Sequence, residues 1–156
     1  DEPVSHQERC PSVANLSDYL ENELLKHLFR TATFTKPTDC AISLASADPT
    51  DAGTGASHNE LSSTGSYARV EVDPSDSNWD SPSGGATANT AAITFPTATA
   101  NWSATVTHTT VLDESDTLTS GTAANLWFHG ALAASKTVGN GDIFKFNAGD
   151  YDISFA

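Results

Sequence analysis

The large apolar residues of this chain fall into two kinds of pattern. Leu16, Leu20, Leu24 and Leu28 recur every four residues, with Tyr19, Leu25 and Phe29 beside them. That spacing makes one apolar stripe about 100° wide on a helix, meant to pack on something. Asn15 or Ser17 can cap its start, and Asp18, Glu21 and Glu23 lie toward the positive end of the dipole. Lys26, His27 and Arg30 crowd the negative end. The pattern predicts an amphipathic helix over 15–30. Ahead of it, residues 1–14 (DEPVSHQERCPSVA) show no period and hold two prolines, which reads as an extended N-terminal arm.

From Thr31 the period changes to two. Cys40, Ile42 and Leu44 share one face of a strand near 39–45, and Ala68, Val70 and Val72 alternate against Tyr67, Arg69 and Glu71. Two long polar stretches, 46–66 and 73–87, separate these strands from the rest and read as functional or mobile loops. Further on, Ile93 and Phe95 end a strand at Pro96, and Thr105, Thr107 and Thr109 alternate with Val106 and His108 across 103–112. Leu126, Phe128, Gly130 and Leu132 form one face opposite Trp127 and His129. Asn140-Gly141 signals a hairpin between Lys136–Val138 and Asp142–Phe146, and Tyr151, Ile153 and Phe155 alternate to the end. Seven or eight short strands at this spacing predict a mainly β domain over 31–156, an antiparallel β-sandwich of jelly-roll or Ig-like type.

Composition qualifies this picture. Leu, Ile, Val and Phe together make 29 of 156 residues, whereas Ala, Ser and Thr number 60. So thin a core with a high net charge normally warns of disorder, but the alternating pattern argues for a folded domain. It also implies that stability is shared across subunits, because burial at an interface supplies what a small interior lacks. The formal charge of −13 weighs against nucleic acid as a partner, since neutralising phosphates needs clustered Lys and Arg, and against anionic membrane surfaces. No apolar run approaches the roughly 20 residues of a spanning helix.

Chemical motifs are sparse. His6, His27, His58, His108 and His129 are dispersed without metal-ligand spacing, and Asp48, Asp51, Asp73, Asp76 and Asp80 do not follow a calcium-loop pattern. There is no nucleophile elbow and no phosphate cradle. The reading is of a protein that is not an enzyme and takes no cofactor. Cys40 alternates with apolar residues as a buried thiol would, while Cys10 lies in the arm, where a thiol has no packing role. A disulfide between Cys10 and Cys40, within one chain or between neighbours, is one use for it. The stripe Leu16, Leu20, Leu24 and Leu28 packs either on its own sandwich or on a sister subunit. Trp79, in a polar loop, and Trp102, after Pro96, are candidate contact aromatics that can equally close the ends of the sandwich.

Several phrases occur in order: Ala14 to Asn22 followed by Leu24-Leu25 and His27 to Arg30; Ala47-Asp48-Pro49-Thr50; Gly65-Ser66-Tyr67-Ala68-Arg69; Thr94-Phe95-Pro96 through Ala100-Asn101-Trp102 and Thr107-His108; Phe128 to Leu132; and Gly141-Asp142, Phe144 and Ala148-Gly149-Asp150. Together they resemble a family of small tailed-phage virion proteins, often labelled tail fibre proteins, over about residues 14–156. Residues 1–12 and the cysteines fall outside the family pattern. The resemblance implies a virion structural protein; with the thin core and the size of the globule, the expectation is a homo-oligomer such as a trimer on the outer surface of the particle, touching the major capsid protein or tail proteins. A globule of roughly 40 Å without coiled-coil or repeated segments suits a capsid decoration or cement subunit better than a fibre shaft. The alternative is a tail or fibre module binding the host surface, with the 46–66 and 73–87 loops carrying recognition and Trp79 and Tyr67 stacking on sugars.

Overall fold

The computed structural model describes residues 5–13, 15–113 and 118–155, with side chains for Ser5 and from residue 15 onward. Along the chain lie β1 (Ser5–Val13), β2 (Asn15–Leu16), α1 (Asp18–Phe29), β3 (Ala41–Ala45), β4 (Val70–Glu71), β5 (Ala86–Ala88), β6 (Ile93–Thr94), β7 (Val106–Asp113), β8 (Asn125–Lys136) and β9 (Ile143–Ser154). One sheet is built on β9, with β1 on one side and β5 and β6 set one after the other along its opposite side. The other runs β2-β8-β7-β3-β4, antiparallel throughout. The mainly β sandwich with one helix, expected from the periodicity, is the fold of the chain.

The core between the sheets is aromatic on one side. Phe95, Phe144, Phe146 and Tyr151 are fully buried, with ring centroids 5.7 Å apart for Phe95–Phe144, 5.4 Å for Phe144–Phe146 and 5.0 Å for Phe146–Tyr151. Ile42, Leu44, Val111 and Phe128 of the other sheet belong to the same core. Each ring removes about 150–250 Å² from water, so a few aromatics make up for the shortage of aliphatic residues.

Four local expectations need correction. Residues 5–13, read as an arm, are extended but form an edge strand parallel to β9, with Ser5 opposite Ile143 and Val13 opposite Ile153. A parallel pair needs a long connection, and here almost the whole chain is that connection. Asn140-Gly141 does form a turn, with Gly141 at φ 88°, but no hairpin follows. β8 and β9 belong to different sheets, so the turn carries the chain across the sandwich. The two strands expected near 142–146 and 150–155 are one strand, β9. Its inward residues change from Phe144 and Phe146 to Tyr151, an odd step absorbed at a bulge where Gly149 has φ 75°. The buried Asn89 spans that bulge, donating to Asn147 O at 2.8 Å and accepting from Tyr151 N at 2.9 Å. Finally, in 67–72 it is Tyr67 and Arg69 that are most deeply buried, while Ala68 and Val70 remain partly exposed.

The helix begins as the sequence implies. Ser17 caps it, its hydroxyl accepting from Leu20 N at 3.2 Å while also donating to Leu126 O of β8. Leu20 is buried, Leu16 and Leu24 are partly buried, and Leu28 is exposed. The stripe therefore packs on its own sandwich for the first half of the helix only.

Candidate functional site

Three polar assemblies stand out among the described residues: one is buried, one has its carboxylates at the surface, and one lines a cavity on an open loop. The first is a clasp around Arg69, a cation that is 1% exposed. Its Nε and Nη2 donate to the two oxygens of Glu60 at 2.9 and 2.8 Å, Nη2 also donates to Gly55 O at 2.7 Å, and Nη1 donates to Thr122 Oγ1 at 3.1 Å. Tyr67 donates to Glu60 Oε1 at 3.1 Å, and Gly121 N donates to Oε2 at 2.8 Å. A buried ion pair is tolerable only when its remaining donors and acceptors are met, and here backbone and hydroxyl partners meet them. The clasp ties the 54–61 loop to the segment around residues 118–122. His58 extends it: Nδ1 lies 2.8 Å from Thr54 O and Nε2 lies 2.8 Å from Ser43 Oγ, which lies 2.6 Å from Thr110 Oγ1. Nδ1 can only donate to the carbonyl, and in the neutral ring Nε2 accepts from the serine. Burial lowers its pKa below the ordinary 6.5 despite the nearby Glu60. A Ser–His pair of this kind resembles a nucleophile and base, but Ser43 is fully buried and His58 is 2% exposed. No substrate reaches them, and the pair is a structural tie.

The second assembly holds the 48–51 loop against β8. Asp51 Oδ1 lies 3.0 Å from His129 Nε2, and Asp48 Oδ1 lies 3.2 Å from Nδ1, off the hydrogen-bonding direction. The two carboxylates flank opposite sides of the ring and do not converge on a common point. Among the described residues no group of three or more His, Cys, Asp or Glu is arranged to hold a metal ion.

The third is a surface cavity of about 370 Å³ on the 73–87 loop, lined by Lys36, Pro74, Asp76, Trp79, Asp80 and Pro82 among others. Turn bonds shape the loop, with Asn78 N and Trp79 N both donating to Ser75 O at 3.1 Å. Asp80 N donates to Ala88 O of β5 at 2.9 Å, and Thr87 Oγ1 donates to Asp80 O at 2.7 Å. Trp79 is partly buried, its ring set edge-on to Tyr151 at 6.3 Å. Lys36 donates to Pro74 O at 3.0 Å and keeps two further ammonium donors. The wall therefore offers an indole surface anchored on the core, two carboxylates and one ammonium group.

The residues singled out from the sequence are dispersed over the molecule. Trp79 is in this cavity. Trp102 is 6% exposed and packs against Tyr67 at 5.2 Å, its Nε1 donating to Gly65 O at 3.2 Å, so its surface is used by the core. Tyr67, proposed to stack on sugars, is 2% exposed, and its hydroxyl is engaged with Leu44 and Glu60, so it is not a contact residue. Cys40 is a free, buried thiol whose pKa burial pushes up to about 12, with Asp113, Asp73 and Asp39 adding to the effect. The side chain of Cys10 lies outside the described residues. Pattern reading missed the Arg69 clasp because an arginine alternating with valines scores as the outward face; the nearby Tyr67 on the same face was the available signal.

The described residues thus form a two-sheet sandwich with a shallow cavity on the 73–87 loop. The family model of the podophage GP4 fiber I protein gp80 matches residues 15–154, and the chain belongs to this family. It is thus a phage structural protein and a component of the virion. The match leaves β1 outside and covers every other strand and the helix. No curated protein matches the chain.

Proposed function

We propose that this chain is a non-catalytic module of the phage tail fibre that binds a saccharide of the host surface in the Trp79 cavity. Membership of a fibre family supports tail placement over the capsid decoration expected from globule size, because a family carries its structural role where overall dimensions do not. The observation that carries the binding reading is the cavity itself. An indole face stacks on the C–H face of a sugar ring, the Asp76 and Asp80 carboxylates accept from ring hydroxyls, and Lys36 donates. A volume of about 370 Å³ sits at the low end of ligand pockets, enough for one or two sugar units. Single-site affinity is accordingly weak, and many copies on one particle supply avidity.

Two measurements test this. Purified chain is retained on immobilised host-surface polysaccharide, and Trp79→Ala lowers retention about two- to tenfold, the range that loss of one stacking face gives. Retention that Trp79→Ala leaves unchanged, or no retention by the native chain, refutes the saccharide reading. Gold-labelled antibody on intact particles marks the tail; label on the head would return the chain to capsid decoration.

A further inference from the structure

A second cavity, about 490 Å³ and so larger than the one at Trp79, opens between residues 101–105 and the turn that leads into β9. Main-chain bonds set its walls: Trp102 N donates to Val138 O at 3.0 Å, Ala98 N to Asp142 O at 2.9 Å, and Gly141 N to Ala98 O at 2.7 Å. Val138 and Trp102, 3% and 6% exposed, close its base. Asn101, Thr105, Thr137 and Asp142 supply its polar groups. Asn101 Oδ1 accepts from Asn140 N at 3.1 Å, which orients the amide and leaves Nδ2 to donate elsewhere. Among the described residues neither that Nδ2 nor the hydroxyls of Thr105 and Thr137 have a partner. We infer that this cavity is a second saccharide site, holding an uncharged sugar unit.

The polar groups choose the ligand class. An amide N–H and two hydroxyls, each able to donate or accept, match the hydroxyls of a sugar ring. Asp142 is the one charged residue among those lining the cavity, so an acidic sugar or a phosphate would meet repulsion with no cation to offset it. Gly139 keeps the space open. Its N donates to Asp142 Oδ2 at 2.9 Å, and a Cβ built on it would lie 3.4 Å from that oxygen and 3.6 Å from Asn101 Oδ1, between the two polar side chains. Because the walls are already bonded in place, little chain has to be ordered on binding. Asp142 directly precedes β9, whereas Thr87 of the Trp79 cavity pairs with Ile153 near the far end of that strand. About ten strand residues span roughly 30 Å, so the two cavities take separate sugar units, and this site does not rest on the Trp79 reading. With the ring of Trp102 packed into the core there is no open aromatic face to stack on, and binding is weaker here than at Trp79. The site adds to the avidity of a particle, but a soluble chain holding it alone does not displace the phage.

NMR titration of the full chain with neutral oligosaccharides released from host-surface polysaccharide is the test. The amide signals of Gly139 and Asn140 and the indole signal of Trp102 move along one shared binding curve, equally in the native chain and in Trp79→Ala. Gly139→Val, at a backbone position outside the left-handed region, plugs the cavity and abolishes that curve while the rest of the spectrum stays native. Asn101→Ala, at an exposed side chain, weakens binding about two- to tenfold, the range for one neutral hydrogen bond, and decides the matter if Gly139→Val does not fold. Acidic oligosaccharides of the same size bind about fivefold more weakly, as one like charge nearby requires. Signals at Gly139, Asn140 and Trp102 that stay still overturn the inference. So does movement that Trp79→Ala removes and Asn101→Ala does not. Equal affinity for the acidic oligosaccharides overturns the assignment to an uncharged sugar.

Discussion

Arg69 and Glu60 show how this protein uses its few cations. Arg69 is spent on a bidentate pair inside the fold, where removing either partner would strand a buried charge at a cost of about 3–5 kcal/mol. His58 beside it carries a pH dependence. Its folded pKa lies below 6.5, first because burial disfavours the imidazolium, with Glu60 opposing. An unfolded chain therefore takes up a proton near pH 6.5 that the native state refuses. The contribution is complete above that pH and is lost as pH falls toward the folded value. His108 shifts in the same direction, also through burial. The urea midpoint should consequently fall between pH 7 and 5.5, and the fall should be shallower in His58→Gln, which removes the His58 contribution and keeps that of His108. An equal slope in the two proteins would remove His58 from the account. None of this was readable from the chain, because alternation assigns Arg69 to the face of Glu71, and only the folded loop brings Glu60 to meet it.

At the level of elements, regular periods were legible and connections were not. The helix, β3, β7 and the inward face of β8 follow from spacing, although β3 is buried on both faces and β7 along Thr109 to Leu112. The turn at Asn140-Gly141 was also legible as a turn, yet its local chemistry is the same whether the flanking strands pair or part. The parallel β1–β9 pairing joins residues from opposite ends of the chain, which no local pattern encodes. Ser17 is the element-scale residue with the clearest weight, because its hydroxyl both caps α1 and bonds to β8. Ser17→Ala loses a cap worth about 1 kcal/mol and leaves a strand carbonyl short of a partner, a further cost of about 1 kcal/mol. The expected result is a lower urea midpoint with unchanged slope, while Leu28→Ala, at an exposed position, leaves the isolated chain as stable as before. A Ser17→Ala protein of native stability would show that the helix is held by its packed leucines, Leu16, Leu20 and Leu24, without the cap.

The whole molecule is an acidic two-sheet body with an aromatic interior, a loop cavity at Trp79 and an apolar helix end. The sequence pattern singled out Trp79 by its polar surroundings, and Trp79 lines the loop cavity. It left both a contact and a packing role open for Trp102 and missed the burial of Tyr67, because a surface aromatic and a core aromatic in a loop look alike until the loop folds. Size argued for a decoration subunit, and family membership argues for the fibre; a fibre need not be long in each of its parts when short modules are mounted on it. If the cavity meets the host, soluble copies of the chain must compete with the particle for the same sites. The most direct measurement is therefore the rate at which intact phage adsorb to host cells in the presence of excess purified chain. The account predicts that the native chain slows adsorption and that Trp79→Ala, shown to be folded under the assay conditions, does not. Adsorption unaffected by the native chain, or slowed equally by both proteins, would contradict it.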